Sequence, residues 1–332
     1  MQIKLEIGNS SDVGKIRTVN EDYYGAFSGD FGELIIVCDG MGGHEGGEIA
    51  SRTAVNKVKE HFKKLNSVYN VKEEIEKAIR EADQSIKEKA QENKELNEMG
   101  STLVLLLIKD GKAITAHLGD SRIYLIRNGQ IYQVTKDHSL VQEMIDSKMI
   151  SEQTAKSHPK KNVITRSLGA SGSSEPDIDE PIVIFKGDIF ILCTDGLTEY
   201  LDDSELLKIV SDNSPHNSCG KLVNLANDRG GKDNITIQIV EVIKGKRLPK
   251  NTPLTKKILL LVISIILLLI IAFFIKTQFE KEGIEEIEEI EVKDKIINEM
   301  DPLPHSLQVD SIGIIIKIGE DTDQKNDSII TQ

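Results

Sequence analysis

The sequence predicts an α+β protein, sheets covered by helices, followed by one membrane-spanning helix. Three observations carry this. Short apolar or alternating runs of strand character bunch together along the chain. Amphipathic helical stretches stand among and after them. Late in the chain lies an uncharged apolar run, Ile258–Ile275. Bunched strands with helices before and after them favour layers of sheet and helix around a common core.

In chain order, strand patterns fall near 3–7, 33–38, 101–109, 112–118, 121–127, 130–134, 181–193 and 234–243. A first helix is expected after Gly47, with Ala50, Ala54 and Val58 on one face. A second places Ile75, Ala78, Ile79, Ala82 and Ile86 at three-and-four spacing, an apolar stripe suited to packing on a sheet. Further helices are expected around 138–149 and 218–229.

The chain has 332 residues, 39% of them hydrophobic and 29% charged, enough apolar material for a sizeable core. Trp is absent and aromatics are few, so aliphatic side chains must fill it. A formal net charge of −13 argues against nucleic acid as a partner, because phosphate backbones demand a basic surface. The three cysteines, Cys38, Cys193 and Cys219, suggest neither a disulfide framework nor a zinc site. The opening MQIKLEIGNSSDVG lacks an apolar stretch behind a basic start, so no secretory leader is expected.

Eighteen uncharged residues in 258–275, at about 1.5 Å each, span roughly 27 Å, enough for a bilayer core. Upstream stand Lys244, Lys246, Arg247, Lys250, Lys256 and Lys257; downstream the chain turns acidic (EKEGIEEIEEIEVKD). Basic flanks stay in the cytoplasm. The expected order is a cytoplasmic domain over 1–243, a basic linker over 244–257, the anchor over 258–275, and an acidic extracytoplasmic tail over 276–332.

Three acids draw attention by their setting. Asp39 ends an apolar run and opens DGMGGHEGGE, with five glycines in the nine residues after it. Asp195 follows FILCT and precedes Gly196, and Asp233 sits in GGKDNITIQIV. Each alone reads as a turn residue. Together, at strand ends beside glycine, they suit a hard divalent cation such as Mg²⁺ or Mn²⁺, which prefers oxygen ligands. In GKIRTVNEDYYG, Glu21 and Asp22 could hold metal-bound water, and the guanidinium of Arg17 could grip an anion. Asp120, in HLGDSR between two short strands, reads equally well as the turn of a hairpin.

Six ordered stretches over roughly residues 5 to 241 resemble the metal-dependent protein phosphatases of the PPM or protein phosphatase 2C family, in their bacterial form. They are GKIRTVNEDYYG, DGMGGHEGGEIAS, MGSTLVLLL, HLGDSRIYLIRNG, DHSLVQEMI with NVITRSLG, and CTDGLTEYL with GGKDNITIQIV. The resemblance implies a four-layer α-β-β-α sandwich of two antiparallel sheets flanked by helices. It implies hydrolysis of phosphoserine and phosphothreonine in proteins by a water bridging two Mn²⁺ or Mg²⁺ ions. Asp39 then resembles the bridging carboxylate, with the Gly40 carbonyl on one ion, and Asp195 and Asp233 resemble ligands of the other. Glu21 and Asp22 resemble residues reaching the metals directly or through water. Asp120 with Asp195 resembles a third metal site, and Arg17 the phosphate clamp. Residues from about Asp137 to Ser167, His138 among them, resemble a flap beside the active site. Family analogy alone supplies an opposing membrane serine/threonine kinase as partner.

Met41 stands where eukaryotic relatives carry a histidine proposed as general acid, which leaves the proton donor unassigned. His138 and His44 are candidates by residue type only. Cysteine-phosphatase chemistry is excluded, since Cys38 is followed six positions on by His44 and Cys193 by Glu199, where an arginine is needed. No G-x-x-x-x-G-K-[ST] loop occurs either.

Overall fold

The domain opens with β1 (Lys4–Asp12), β2 (Tyr23–Gly29), β3 (Gly32–Cys38) and the two-residue β4 (Gly40–Met41). Two long helices follow, α1 (Gly46–Lys64) and α2 (Val71–Glu92). Next come β5 (Gly100–Ser101), β6 (Leu103–Lys109), β7 (Lys112–Leu118), β8 (Arg122–Arg127) and β9 (Gln130–Gln133). The short helices α3 (Leu140–Asp146) and α4 (Glu152–Lys156) precede β10 (Asp177–Ile178), β11 (Ile182–Val183) and β12 (Ile189–Cys193). Helices α5 (Asp195–Thr198), α6 (Asp203–Ser211) and α7 (Pro215–Asp228) lead to β13 (Ile235–Lys244). This computed structural model describes residues 3–42, 45–65, 70–170 and 174–248, and beyond them 267–268, 270–271, 307–309 and 315–317.

Two large antiparallel sheets result, beside the small pair β4-β5. One has the order β1-β13-β12-β8-β9; the other runs β10-β7-β6-β3-β2, with β11 also on β7. Alternation along the strands sorts side chains into three cores, as a period of two requires. On β3, Leu34, Ile36 and Cys38 face Ala50, Val55, Phe62, Ile75 and Ile79 of α1 and α2. Their neighbours Ile35 and Val37 turn inward, against Phe190 and Leu192 of β12 and Val240 and Val242 of β13. Ile191 and Cys193 point the other way, onto Leu206, Leu222 and Ala226 of α6 and α7. The layers are therefore helix, sheet, sheet, helix. Gln238, fully buried between the sheets, ties them by donating from Nε2 to the carbonyls of Gly25 (3.2 Å) and Ile36 (2.8 Å).

The helices begin where local chemistry lets them. Asn70 caps α2 by accepting the Glu73 N–H, Asp202 and Glu205 close a capping box on α6, and Pro215 opens α7, where its missing N–H costs nothing.

Several expectations change. The strand expected over 181–193 is two: β11 and β12 lie in different sheets, parted at Gly187, whose φ of 89° favours glycine. The run 101–109 breaks at Thr102. Strand β2 was not anticipated, because YYGAFSG carries two glycines and no alternation. Asp120 is not a hairpin turn: β7 and β8 belong to different sheets, so Gly119-Asp120 crosses between them. The third helix shortens to α3, capped by Ser139, which accepts the Gln142 N–H.

Residues Met1–Pro249 form one compact unit and Lys250–Gln332 another. In the second, β14 (Leu307–Val309) pairs antiparallel with β15 (Ile315–Lys317). Among the described residues no helix is long and apolar enough to cross a membrane. Of the apolar run 258–275, Leu267, Leu268, Ile270 and Ile271 are described; they are helical and exposed. The remainder of the expected anchor lies outside the described residues.

Candidate metal centre

Strand register brings the sequence-flagged acids to one end of the sandwich. Tyr23 pairs with Cys38, Leu103 with Leu118, and Arg122 with Cys193, which pairs in turn with Ile237. The segments carrying Asp22, Asp39, Asp120, Asp195 and Asp233 therefore leave or enter the sheets on the same edge. Asp22 and Asp120 are buried, whereas Asp39, Asp195 and Asp233 stay partly exposed, so the cluster opens to solvent on one side.

The carboxylates crowd one another. Burial first, then the charges of Asp22, Asp195, Asp120 and Asp233, push Asp39 well above the usual carboxylate range. Burial is also the main cause of the rise of Asp22 to about 7, of Asp120 to about 8 and of Asp195 to about 6, with Asp195 or Asp233 adding repulsion in each case. Asp195 is within hydrogen-bonding reach of Asp39. Buried carboxylate oxygens normally have partners; Asp22 Oδ1 and Asp120 Oδ1 have none. Repelling oxygen donors with orphaned acceptors among them fit a hard divalent cation.

Neighbouring hydroxyls and amides hold these acids in place. Thr102 Oγ1 accepts the Asp39 N–H at 2.9 Å and lies 2.7 Å from Ser121 Oγ, beside Asp120. Thr194 donates to Asp22 Oδ2 at 3.0 Å and accepts the Thr236 N–H at 3.0 Å. Asn234 Oδ1 accepts the Glu21 N–H, and its Nδ2 donates to the carbonyls of Val13 and Val19, stapling the loop that carries Arg17. None of these was singled out from sequence, although each of Ser121, Thr194 and Asn234 adjoins an acid that was.

Close backbone approach explains the glycines beside the acids. A Cβ on Gly40 would lie 2.1 Å from the Gly47 carbonyl oxygen, and one on Gly196 would lie 2.0 Å from that of Asn234. The second contact seats Asp195 against Asp233.

Arg17 spans the open side. Its Nη2 donates to Asp233 Oδ2 at 2.9 Å, and Nη1 lies 3.4 Å from Glu21 Oε2. Burial raises Glu21, with Arg17 acting in opposition.

His138 lies elsewhere in the bonding pattern. It is buried, its Nδ1 accepts the Gly119 N–H at 3.2 Å, and its Nε2 faces Asp177 Oδ2 at 3.1 Å. Both ring nitrogens are engaged, so neither is open to a leaving group. It sits at the base of the 137–167 segment rather than on an exposed flap. His44 lies outside the described residues.

Fold and site together define a four-layer sandwich with a cluster of acids at one edge that suits a divalent cation. A model of the family described as protein phosphatase 2C matches residues 15–223, and the chain belongs to that family. Protein phosphatase PhpP of Streptococcus pneumoniae is 38% identical over 242 residues, covering 72% of this chain and 98% of the relative. Serine/threonine phosphatase stp of Listeria monocytogenes is 38% identical over 238 residues, covering 70% and 93%. Among solved structures, the S. agalactiae serine/threonine phosphatase superposes with a TM-score of 0.68 at 34% identity, over 72% of this chain and all of that one. The catalytic domain of serine/threonine protein phosphatase PstP, solved in complex with 2 manganese ions, gives 0.65 at 29% identity, over 73% and 100%.

Proposed function

We propose that this chain is a metal-dependent serine/threonine protein phosphatase, acting on phosphoserine and phosphothreonine in proteins at the cytoplasmic face of a membrane. The observation that carries the activity is the acid cluster with its two orphaned oxygens, inside a fold and family of such phosphatases. Asp39, Asp22, Asp195, Asp233 and the Gly40 carbonyl are the groups that would hold two Mn²⁺ or Mg²⁺ ions, with Glu21 in a supporting place beside them. Asp120 and Asp195 are assigned to a third ion. Such ions supply Lewis acidity, lowering the pKa of water toward neutrality and offsetting phosphate charge.

The chain's own groups supply position. Thr102 and Thr194 fix the acids, and the Asn234 staple presents Arg17 at the open side. There its planar fork orients the phosphoryl oxygens of a substrate and favours the charge that grows on them. No cysteine serves as nucleophile: Cys38, Cys193 and Cys219 are buried, and burial pushes all three thiols up.

The membrane location rests on the length of the 258–275 run and on its basic upstream flank. An opposing serine/threonine kinase belongs to the same proposal by family analogy. The test is Mn²⁺-dependent release of phosphate from a phosphothreonine peptide by the full chain. Sedimentation of the chain with membranes after a carbonate wash tests the anchor, and recovery in the supernatant would refute it.

A further inference from the structure

Among the described residues, His117, His138 and Asp177 form a group whose ligand atoms lie within 4.8 Å of one another, the spacing of a metal site. Ring geometry argues otherwise. The imidazoles of His117 and His138 stack at 4.5 Å with 23° between their planes. An ion held by both must lie near both planes, which nearly parallel rings do not allow. The His138 tautomer agrees. The Gly119 N–H donates to His138 Nδ1, so in the neutral ring the proton is on Nε2, aimed at Asp177 and not free for a metal. His117 Nε2 meets the Lys136 carbonyl at 2.8 Å and is the donor there, which leaves its Nδ1 as a buried acceptor without a partner; one such nitrogen without a second ligand from His138 does not make a site.

The same bonds describe a linkage. His138 grips Gly119 twice, its own N–H donating to the Gly119 carbonyl at 2.9 Å while Nδ1 takes the Gly119 N–H. Gly119 has a φ of 104°, and a Cβ there would lie 2.6 Å from Thr102 Cγ2. The clamp therefore sets the backbone immediately before Asp120 and presses it on the threonine that positions Asp39. On its other side, His138 Nε2 meets Asp177 Oδ2, and Asp177 Oδ1 accepts from Arg166 Nη1 at 3.0 Å. The His138 carbonyl accepts the Thr165 N–H at 2.8 Å and the Val163 carbonyl accepts the Leu140 N–H at 2.9 Å, closing the base of the 139–164 segment.

We propose that His138 is a positioning residue joining the 139–164 segment to Asp120, its Nδ1 side serving the metal centre and its Nε2–Asp177–Arg166 side serving the segment. This rests on Asp120 being a metal ligand, as proposed above. Asparagine can place an acceptor where Nδ1 stands but reaches no further, whereas glutamine can reach toward Asp177 without gripping Gly119, so two variants separate the two sides.

The experiment measures Mn²⁺ binding by equilibrium dialysis, and kcat and KM for a phosphothreonine peptide, on the full chain in detergent. His138→Gln should weaken the Asp120-dependent Mn²⁺ site by about 10-fold or more, the range for groups that support a ligand. His138→Asn should restore that binding, and Asp177→Asn should leave it intact while raising KM with kcat little changed. Undiminished Mn²⁺ binding in His138→Gln, or equal weakening in His138→Asn, would overturn the proposal. Should His138→Gln fail to fold, His138→Asn and Asp177→Asn still decide it, because loss of Mn²⁺ in both contradicts a division into two sides. Asp120→Asn is the separate control: if it binds as much Mn²⁺ as the parent, the metal assignment of Asp120 is what fails.

Discussion

Asp39 and Thr102 exchange two hydrogen bonds: the Asp39 N–H donates to Thr102 Oγ1 at 2.9 Å, and the Thr102 N–H donates to the Asp39 carbonyl at 2.8 Å. Thr102 is fully buried, and its hydroxyl is also paired with that of Ser121. Thr102→Val keeps the shape but strands the Asp39 N–H and the Ser121 hydroxyl. Leaving such groups unpaired costs about 1–3 kcal/mol. Thermal unfolding should fall accordingly and phosphatase activity should drop, with Thr102→Ser recovering both. A serine variant no better than valine would place the role of Thr102 in its methyl group.

Asp39→Asn should move stability and activity in opposite directions. It removes a carboxylate that burial and four neighbouring acids disfavour. With a chelator present, the variant should therefore melt higher than the parent at neutral pH. With Mn²⁺ present, its turnover should fall by more than the roughly 10–100-fold typical of groups that merely support a ligand.

pH dependence follows from the same crowding. The folded chain holds Asp22, Asp120 and Asp195 protonated up to about 7, 8 and 6, respectively, whereas an unfolded chain releases such protons near about pH 4. The native state thus binds more protons across that interval, and stability in chelator should decline as pH rises from about 4 to about 8. Mn²⁺ should raise the melting temperature more at about pH 8 than at about pH 5, since protons compete with it for the carboxylates. A chelated protein that melts highest at the alkaline end would contradict the raised acids.

Arg17 pairs with Asp233 and Glu21 at the open side of the cluster. Charge-assisted hydrogen bonds are worth about 1.5–3 kcal/mol, so Arg17→Ala should lower kcat/KM for a phosphothreonine peptide by roughly 10- to 150-fold. Arg17→Lys should recover only part of this, because an ammonium cannot reproduce the two-pronged geometry. Steady-state kinetics on the two variants decide it.

Much of this fold was legible in the sequence wherever one physical pattern dominated. The stripe from Ile75 to Ile86 marks α2 because its three-and-four spacing leaves no competing period. LIIVC and IFILC mark β3 and β12, whose two buried faces leave no polar positions. The misreadings fall where tertiary context decides. Strand β2 is held by its pairing with β3 and not by its own composition. The polar break Lys186-Gly187-Asp188 parts β11 from β12, although the apolar runs on either side of it read as one strand. Asp120 looks like a hairpin residue because sequence does not reveal that β7 and β8 lie in different sheets. At the site, the acids were visible through their glycines, whose close approaches at Gly40 and Gly196 are real steric needs. Thr102, Thr194 and Asn234 were not, because a buried hydroxyl or amide betrays its role only through partners distant in sequence.

The central claim is that the acid cluster around Asp39 hydrolyses phosphoserine and phosphothreonine by means of divalent metal. The most direct test incubates the full chain, in detergent, with a phosphothreonine peptide and Mn²⁺ and follows phosphate release, alongside chelator and Asp39→Asn controls. Release that needs the metal and is lost in Asp39→Asn is the predicted result. Release that survives chelation or the substitution, or no release at all from the folded, Mn²⁺-loaded parent, would contradict it.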